Sequence, residues 1–346
     1  MSLIKKGKSN REKAKRGSLG SKFVGITSII VVIGFVALYF IINQMTGDIV
    51  ELEEEKNMDL MDNAIKNQME AQLSSAEMSV LTIAENEQIQ KLFAERNREG
   101  LEELLLPVFE RLKGEVAQMQ FHLPDSTSFL RLHRPEKYGD SLRDFRFTVN
   151  AANDEERIVS GLEEGVAGYG FRVVVPMYYN SRHTGSVEYG SDFGENFLAN
   201  IKESFPGEYY IYLLNSEDNS FAAGTTSSDS WTLPSEALDE VLSGNHISWV
   251  SDDGDTLISL FPYEDYTGET AGYIKAVTDR STTAALIGRT GIYTIISFIV
   301  IAGVLILLLL YLIRKMDTSL TKPVLIVVTL LKSESLNEEF KYWRTY

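Results

Sequence analysis

Arginine and histidine side chains alternate with apolar residues near the middle of this 346-residue chain. Two short segments, Met119–Leu123 and Phe129–His133, are rich in apolar residues and flank the turn-forming Pro124-Asp125-Ser126, a pattern that predicts a β-hairpin. Because side chains along a strand point alternately to opposite faces, one face of this hairpin is apolar and the other is polar. The polar face carries Gln120, His122, Arg131 and His133.

A second predicted hairpin contributes further polar side chains. Its strands are Phe171–Tyr179 and Ser186–Asp192, and a turn at residues 180–185 connects them. If the polar faces of both hairpins converge over one sheet, we expect a cavity that holds several cations and a few acids. The candidate ligand-binding residues are His122, Arg131, His133, Arg172, Tyr178 and Glu188.

These side chains suit a ligand that carries a carboxylate. Arg131 or Arg172 would donate charge-assisted, bidentate hydrogen bonds to it. His122 and His133 would add donors that titrate near neutral pH. A cross-strand ion pair between Arg172 and Glu188 is the simpler alternative, and the pattern leaves both interpretations open. Nearby basic residues are expected at the rim or on an exposed helix face, namely Arg134, Lys137, Arg143 and Arg146.

Other chemistries find less support in the sequence. The two histidines lack a third and a fourth ligand at suitable spacing, so no metal site is expected. Asp252-Asp253-Gly254-Asp255 lacks the full EF-hand pattern and is more typical of a hairpin turn. The sequence contains no Gly-x-Ser-x-Gly motif that would pair a nucleophile with a base. We therefore expect no cofactor and no enzymatic activity.

Two long uncharged segments determine the class of the protein. Residues 23–47 and residues 290–313 carry no charge over 25 and 24 positions, and a helix needs roughly 20 apolar residues to cross a bilayer. Lys and Arg dominate residues 1–22, and Arg314-Lys315 follow the second segment. The positive-inside rule therefore places both flanks in the cytoplasm and the intervening chain outside it. We predict a multi-pass protein of the inner (plasma) membrane.

The charge balance argues against one class of partner. The chain has 49 Asp and Glu against 33 Lys and Arg, and the acidic excess lies between the two uncharged segments. Such a surface repels polyanions, so no nucleic-acid partner is expected. Because the chain has no cysteine, its exported part must rely on a hydrophobic core rather than on disulfides.

The intervening chain is predicted to begin with a long helix and to continue as α+β structure. Apolar residues recur every three or four positions from Asp48 to Arg96, and the pattern resumes over Leu101–Ala117. This helix packs on its own domain or pairs with a second subunit, and the pattern allows both. Loops are predicted at residues 161–170 and 216–230. Further helices are predicted at Ser141–Asn153, Gly194–Phe205 and Ser235–Ser243, and further strands at Tyr209–Leu214, His246–Val250, Thr256–Phe261 and Gly272–Thr278.

This plan and two motifs resemble the transmembrane sensors with a double Cache domain, which occur in bacterial chemoreceptors, sensor histidine kinases and diguanylate cyclases. The motifs are FHLPDSTSFLRLHRPEKYGDSLRDFR, residues 121–146, and VSGLEEGVAGYGFRVVVPMYYNSRHTGSVEYG, residues 159–190. The resemblance covers approximately residues 20–335. It implies two PAS-like sheets flanked by helices and a small ligand bound in the membrane-distal unit. Lys322-Pro323 is similar to the start of a HAMP linker.

The resemblance divides the chain into seven parts within an α+β fold class. They are a basic cytoplasmic tail (1–22), a first transmembrane helix (23–47), a helical stalk (48–117), a distal Cache unit (118–193), a proximal Cache unit (194–289), a second transmembrane helix (290–313) and the start of a HAMP-like linker (314–346). We expect no kinase or cyclase output module within these residues.

The sequence thus predicts a homodimeric extracytoplasmic sensor. It would bind a small solute, an organic anion, in the distal unit and signal through the second transmembrane helix to the linker. The alternative is a membrane-anchored module that recognises a partner protein without binding a small molecule.

Overall fold

The computed structural model describes residues 2–114, 116–165, 168–214 and 219–342. Leu52–Ala284 forms one compact unit, and Met1–Glu51 with Ala285–Tyr346 forms another. The helices are α1 (Ser2–Ala84), α2 (Glu87–Ala94), α3 (Arg98–Leu112), α4 (Phe147–Asp154), α5 (Glu195–Ser204), α6 (Ser235–Leu242) and α7 (Ser281–Tyr342). The strands are β1 (Gln118–His122), β2 (Ser128–Arg131), β3 (Val159–Gly165), β4 (Gly168–Tyr179), β5 (Arg182–Asp192), β6 (Glu208–Leu214), β7 (Asn219–Gly224), β8 (Ile247–Val250), β9 (Thr256–Glu264) and β10 (Thr270–Asp279).

Strands β1 to β5 form a first antiparallel sheet in the order β2-β1-β5-β4-β3. Both predicted hairpins are confirmed, and Phe121 lies opposite Leu130 in the first. The second hairpin turns at Asn180 and Ser181 alone, and both residues have positive φ. Two-residue turns of this kind match the twist of the flanking strands. The strands are therefore longer, and the turn shorter, than predicted.

Different elements cover the two faces of the first sheet. Helices α1 to α3 pack on its apolar face, where Val80, Phe93 and Phe121 are fully buried. Each such side chain contributes roughly 1.5–3 kcal/mol to folding. On the polar face, α4 packs through Ala152 onto Val174. The chain between β2 and α4 lies over the same face and completes its cover. The separation of faces predicted from alternation is confirmed.

Strands β6 to β10 form a second sheet with the same strand order, β7-β6-β10-β9-β8. One of its faces packs on α1 and α5 through Met61, Phe197 and Ile211. The other face is covered by α6, where Val241 meets Tyr273. The predicted α+β fold class, with two sheets in series on a long helix, is confirmed.

A shared core joins the first sheet to the second. Leu162 and Phe171 of the first sheet belong to the same buried cluster as Phe261 of the second. The backbone N–H of Tyr266 also donates to the carbonyl oxygen of Leu162 at 2.9 Å. This contact needs a glycine, because a Cβ on Gly161, which has φ +152°, would lie 2.6 Å from Cα of Tyr266.

Replacing Gly161 by alanine is expected to lower the free energy of unfolding by about 2 kcal/mol and to loosen this junction, because the new methyl group meets backbone rather than a movable side chain. Hydrogen exchange at the Tyr266 amide would report the change. Gly254 is a matched control, since it has φ +80° and nothing within 4 Å of an added Cβ. Equal effects of the two alanine substitutions would contradict a specific role for the junction.

Three predicted helix boundaries are wrong, and local capping explains two of them. Helix α1 ends at Ala84 rather than Arg96 because the side chain of Asn86 accepts hydrogen bonds from the first amides of α2. Asn97 caps α3 in the same way, so α3 begins at Arg98 rather than at Leu101. The helix predicted from Ser141 begins only at Phe147, because Ser141 instead forms a β-bridge with Thr127.

Two strands lie in segments that were predicted to be loops. The glycine-rich residues 161–170 contribute to β3 and β4, which pair along the whole of β3. Glycines weaken the alternation of apolar and polar side chains that predicts a strand, because they have no side chain to pack. For this reason β3 was not predicted. Residues 216–230 contain β7, which pairs with β6.

The two predicted transmembrane segments lie within α1 and α7, each of which is long and apolar enough to cross a membrane. The rings of Phe35 and Phe298 stack at 4.8 Å between centroids. The helix start predicted at Pro323 is wrong, because α7 runs without a break from Ser281 to Tyr342. A proline inside a helix removes one backbone hydrogen bond, and here the helix continues past it.

Candidate functional site

A cavity of about 300 Å³ opens on the polar face of the first sheet. Side chains of β1, β2 and β4 form its floor, and the chain between β2 and α4 forms its roof. The charged side chains that line it are the cations Arg131, Arg134, Lys137, Arg146 and Arg172 and the acid Asp140. Much of the remaining wall is formed by Gln118, Gln120, His133, Leu142 and Phe145.

Arg131 is engaged by groups within the chain. Its two Nη atoms donate to the carboxylate oxygens of Asp140 at 2.6 and 2.8 Å, and its Nε donates to Gln120 at 3.2 Å. The hydrogen bonds from Arg131 hold the pKa of Asp140 below its usual range. This bidentate pair fixes the roof of the cavity on its floor and leaves Arg131 few donors for a ligand.

Glu188 lies at the centre of a buried charge cluster beneath the cavity. Its Oε1 accepts from Nη2 of Arg146 at 2.6 Å, and Nε of Arg146 donates to Glu163 at 2.9 Å. Burial alone would raise the pKa of Glu188, but the charges of Arg146 and Arg172 lower it to about 2. The expectation that Arg146 is exposed is wrong. Residue 146 precedes α4 rather than lying on it, and two buried carboxylates hold its side chain inside.

Arg172 retains one unsatisfied donor in the floor of the cavity. Its Nε lies 3.7 Å from Oε1 of Glu188, which is an ion-pair distance rather than a hydrogen bond, and it has no hydrogen-bond partner among the described residues. Burial lowers the pKa of Arg172, while the charge of Glu188 opposes that shift. The cross-strand pair that the sequence left open is therefore present but loose.

Three glycines form a floor under the Arg172 guanidinium. An added Cβ would lie 3.3 Å from Nη2 at Gly165 and 3.0 Å from Nη2 at Gly170, and it would clash with Nη1 at Gly190. The absence of side chains at these positions leaves room for the guanidinium beside the strands. The guanidinium is thereby held in one place.

Two glutamine side chains connect Arg131 with Arg172. Gln120 donates to Gln118 at 2.8 Å, and the amide end of Gln118 lies 3.1 and 3.2 Å from the two Nη atoms of Arg172. An amide group has one acceptor oxygen and one donor nitrogen, whereas a guanidinium has only donors. Two amides in a row between two guanidiniums must therefore leave one donor facing another donor, whichever way each amide is turned. An acceptor atom supplied from outside the chain would relieve this conflict.

The two candidate histidines, His122 and His133, are neutral at pH 7. His122 is fully buried, with Nδ1 at 3.3 Å from Oγ of Ser186 and Nε2 at 3.4 Å from Oε2 of Glu188. Burial lowers the pKa of His122 to about 4, against the opposing charge of Glu188. Burial likewise lowers the pKa of His133 to about 4. The expectation that these rings titrate near neutral pH is wrong, because burial and nearby guanidiniums outweigh the single carboxylate.

Five of the six candidate residues come together and one does not. Arg131, His133 and Arg172 line the cavity, and His122 and Glu188 lie in the adjoining charge cluster. Tyr178 lies at the far end of β4, past a register shift, and its hydroxyl donates to Glu156 at 2.9 Å. Within the described part of the chain, no group of three or more His, Asp or Glu is placed to hold a metal ion.

Four further residues of the site were not among the six candidates. Gln120 had been placed on the polar face, and Gln118 lies two positions before it on β1 and shares that face, which strand alternation could have shown. No local sequence pattern predicts Asp140 or Glu163 as site residues, because each belongs to the site only through its ion pair with an arginine elsewhere in the fold.

Comparison with known families decides where this arrangement belongs. Residues 54–281 match a family described as the double sensory domain of two-component sensor kinases (dCache_3). That range spans both sheets and well over half of the chain. The chain belongs to the double Cache family. The resemblance inferred from the motifs is confirmed, and residues 314–346, predicted to start a HAMP linker, lie beyond the match.

Solved structures of sensory domains resemble this double Cache chain at low sequence identity. The sensory domain of the Campylobacter jejuni chemoreceptor Tlp3 with isoleucine bound has a TM-score of 0.48 and 12% identity, covering 71% of this chain and 97% of that one. The ligand-binding domain of Mlp24 with asparagine has a TM-score of 0.43 and 18% identity, covering 70% and 99%. The periplasmic domain of Vibrio cholerae LuxQ has a TM-score of 0.44 and 13% identity, covering 64% and 99%. A search of curated proteins found no match.

Proposed function

We propose that this double Cache chain is the sensory part of a membrane receptor and that it binds a small organic anion in the cavity of its first sheet. The observation that carries the proposal is the buried guanidinium of Arg172, whose Nε lacks a hydrogen-bond acceptor within the described residues. Leaving a buried charged donor without an acceptor is costly, so an anionic ligand gains the full value of the hydrogen bonds it accepts. A cavity of about 300 Å³ limits the ligand to a small molecule.

The contacts shift the proposed anchor from Arg131 to Arg172. Arg131 is held by Asp140 and Gln120, whereas Nε of Arg172 has no acceptor and its two Nη atoms share one amide end of Gln118. A carboxylate beside Arg172 and Gln118 would accept from both. His133 lines the same cavity, and its Nδ1 is buried without a partner among the described residues.

Strand β4 offers a route from the cavity to the second sheet. Arg172 points into the cavity, and its neighbour Phe171 points to the opposite face, where its ring packs 5.3 Å from Phe193 and 5.6 Å from Phe197. Because two adjacent residues serve the two faces, a shift of Arg172 on ligand binding moves the core that joins the two sheets. We propose that this movement is the signal.

The membrane arrangement completes the proposal. Residues 23–47 and 290–313 span the inner membrane, with residues 118–193 as the distal unit, residues 194–289 as the proximal unit, and basic flanks in the cytoplasm. The chain acts as a homodimer through its long helix and signals through α7 into a HAMP-like linker at residues 314–346. A defined polar cavity favours this sensor over a module that only recognises a partner protein.

A thermal-shift screen of the full chain in detergent tests the proposal with carboxylates, amino acids and amines. We expect a small carboxylate to raise Tm, and we expect Arg172→Met to weaken its binding between about 10- and 100-fold, because charge-assisted hydrogen bonds are lost. Gly190→Ala should weaken binding as well, since it displaces the guanidinium without removing its charge.

Arg143→Met is the matched control, because Arg143 is partly exposed and pairs with Asp154 outside the cavity. The control should bind the hit with unchanged affinity. Stabilisation by amines alone would overturn the anion proposal, and unchanged binding by Arg172→Met would overturn the proposed anchor.

A further inference from the structure

The second sheet carries a buried charge pair at the position that corresponds to Glu188 in the first. Glu188 lies on the central strand β5 opposite Gln120, the third residue of β1. Lys275 lies on the central strand β10 opposite Tyr210, the third residue of β6. Since the two sheets have the same strand order, Lys275 occupies the equivalent place, where it faces the segment that covers the sheet.

The covering segment places a carboxylate on Lys275. Residues 225–234 lie between β7 and α6, and we call this segment the strap. Oδ2 of Asp229 in the strap accepts from Nζ of Lys275 at 2.6 Å and from the hydroxyl of Tyr212 at 2.6 Å. Lys275 is 1% exposed and Asp229 3% exposed at the side chain, so the contact is enclosed.

The donors belong to the sheet and the carboxylate belongs to the strap. Tyr212 lies on β6 and Lys275 on β10, two paired strands, so their positions are fixed by backbone hydrogen bonds. Lys275 also donates to the carbonyl oxygen of Trp231 at 2.6 Å, which ties the strap down at a second point. The hydroxyl of Tyr273 is buried beside this group and has no hydrogen-bond partner among the residues described. The sheet therefore presents a preformed set of donors with one more than Asp229 uses.

We propose that the second sheet contains a carboxylate-binding site that the chain fills with its own Asp229, so that the strap acts as a tethered ligand. The first sheet has the opposite arrangement, because there the strand supplies the acid, the cover supplies the cation Arg146, and a cavity remains open beside the pair. Occupation by the strap keeps the second sheet closed to free carboxylates. This inference concerns other residues than the anion site of the first sheet and does not rest on it.

Removing the tethered carboxylate tests this directly in the full chain in detergent. Asp229→Ala leaves Lys275 and the two tyrosine hydroxyls facing a space of carboxylate size. The comparison is between Tm in about 0.1 M sodium formate and Tm in the same concentration of sodium chloride, each measured by tryptophan fluorescence. Formate should raise Tm of Asp229→Ala by about 3 to 5 °C over chloride, and it should shift neither the wild type nor the double variant Asp229→Ala/Lys275→Met.

Equal Tm values in formate and chloride for Asp229→Ala would overturn the proposal. If the variant does not fold in chloride, its yield of folded protein in formate becomes the readout. Recovery with formate then supports a carboxylate site, and failure in both salts overturns it. A formate effect that survives Lys275→Met would also overturn it, because the anion would then be acting elsewhere.

Discussion

Replacing Arg146 by alanine is expected to lower the free energy of unfolding of the first sheet by about 3–5 kcal/mol. Arg146 bonds to both Glu163 and Glu188 and is 5% exposed. Burial alone would lower the pKa of Arg146, but these two carboxylates raise it, so the guanidinium stays charged. Removal of the guanidinium leaves Glu163 and Glu188 buried without their main cation. The resulting decrease in the free energy of unfolding is far larger than the contribution of a surface ion pair.

Hydrogen exchange measured on β4 and β5 of the full chain would report this loss locally. Arg143→Ala provides the comparison, since Arg143 lies three residues earlier in a partly exposed pair with Asp154 at 2.5 Å and should change stability by less than about 1 kcal/mol. If both variants exchange at the same rate as the wild type, Glu188 is not held by Arg146 as described.

Acidification is expected to destabilise the first sheet well before ordinary carboxylates protonate. The pKa of His122 is about 4 in the folded protein, compared with 6.5 for an unperturbed histidine. The unfolded chain therefore binds a proton between these values while the folded chain does not, so stability is complete above pH 6.5 and falls as the pH approaches 4. The expected loss is about 3 kcal/mol for this fully buried ring.

A second loss of stability is expected at lower pH, and it comes from Glu188. The pKa of Glu188 is about 2 when folded and 4.5 in its ordinary state, so the stability it contributes is lost as the pH falls from 4.5 towards 2. Urea unfolding followed by circular dichroism across this range should show both phases. His122→Gln should reduce the first phase and leave the part that His133, whose pKa is also about 4, contributes. His183→Gln, outside the cluster, should leave the phase unchanged. A wild type of constant stability from pH 7 to pH 4.5 would contradict the assignment.

Strand alternation predicted which residues share the polar face, but not how they pair. The positions of His122, Arg131, Arg172 and Glu188 on one side of the sheet follow from a two-residue period, which depends only on local geometry. The burial of Arg146 does not follow from this period. The direction of its side chain is set by the irregular segment before α4 and by two acids that lie 17 and 42 residues away in the sequence. Arg131 was expected to face a ligand, and the partner that engages it, Asp140, lies in a loop with no period at all.

Helix ends and weak strands account for most of the differences in fold. Asn86, followed by Glu87, was an available capping signal that the continuous apolar stripe concealed. Strand β3 contains Gly161 and Gly165, which remove the side chains that make a strand visible in sequence. Gly161 is required by the approach of Tyr266, a residue more than 100 positions away, so no local rule could have assigned its role.

The glycine floor under Arg172 also sets the order in which this site can change during evolution. As long as Arg172 is present, a side chain at position 190 has no room beside its guanidinium. Once Arg172 has been replaced by a smaller residue, position 190 is free to accumulate larger side chains. Recovery of the arginine then requires glycine to return first. Arg172 can therefore be lost in a single step, but once position 190 has gained a side chain it can be regained only by two steps in a fixed order.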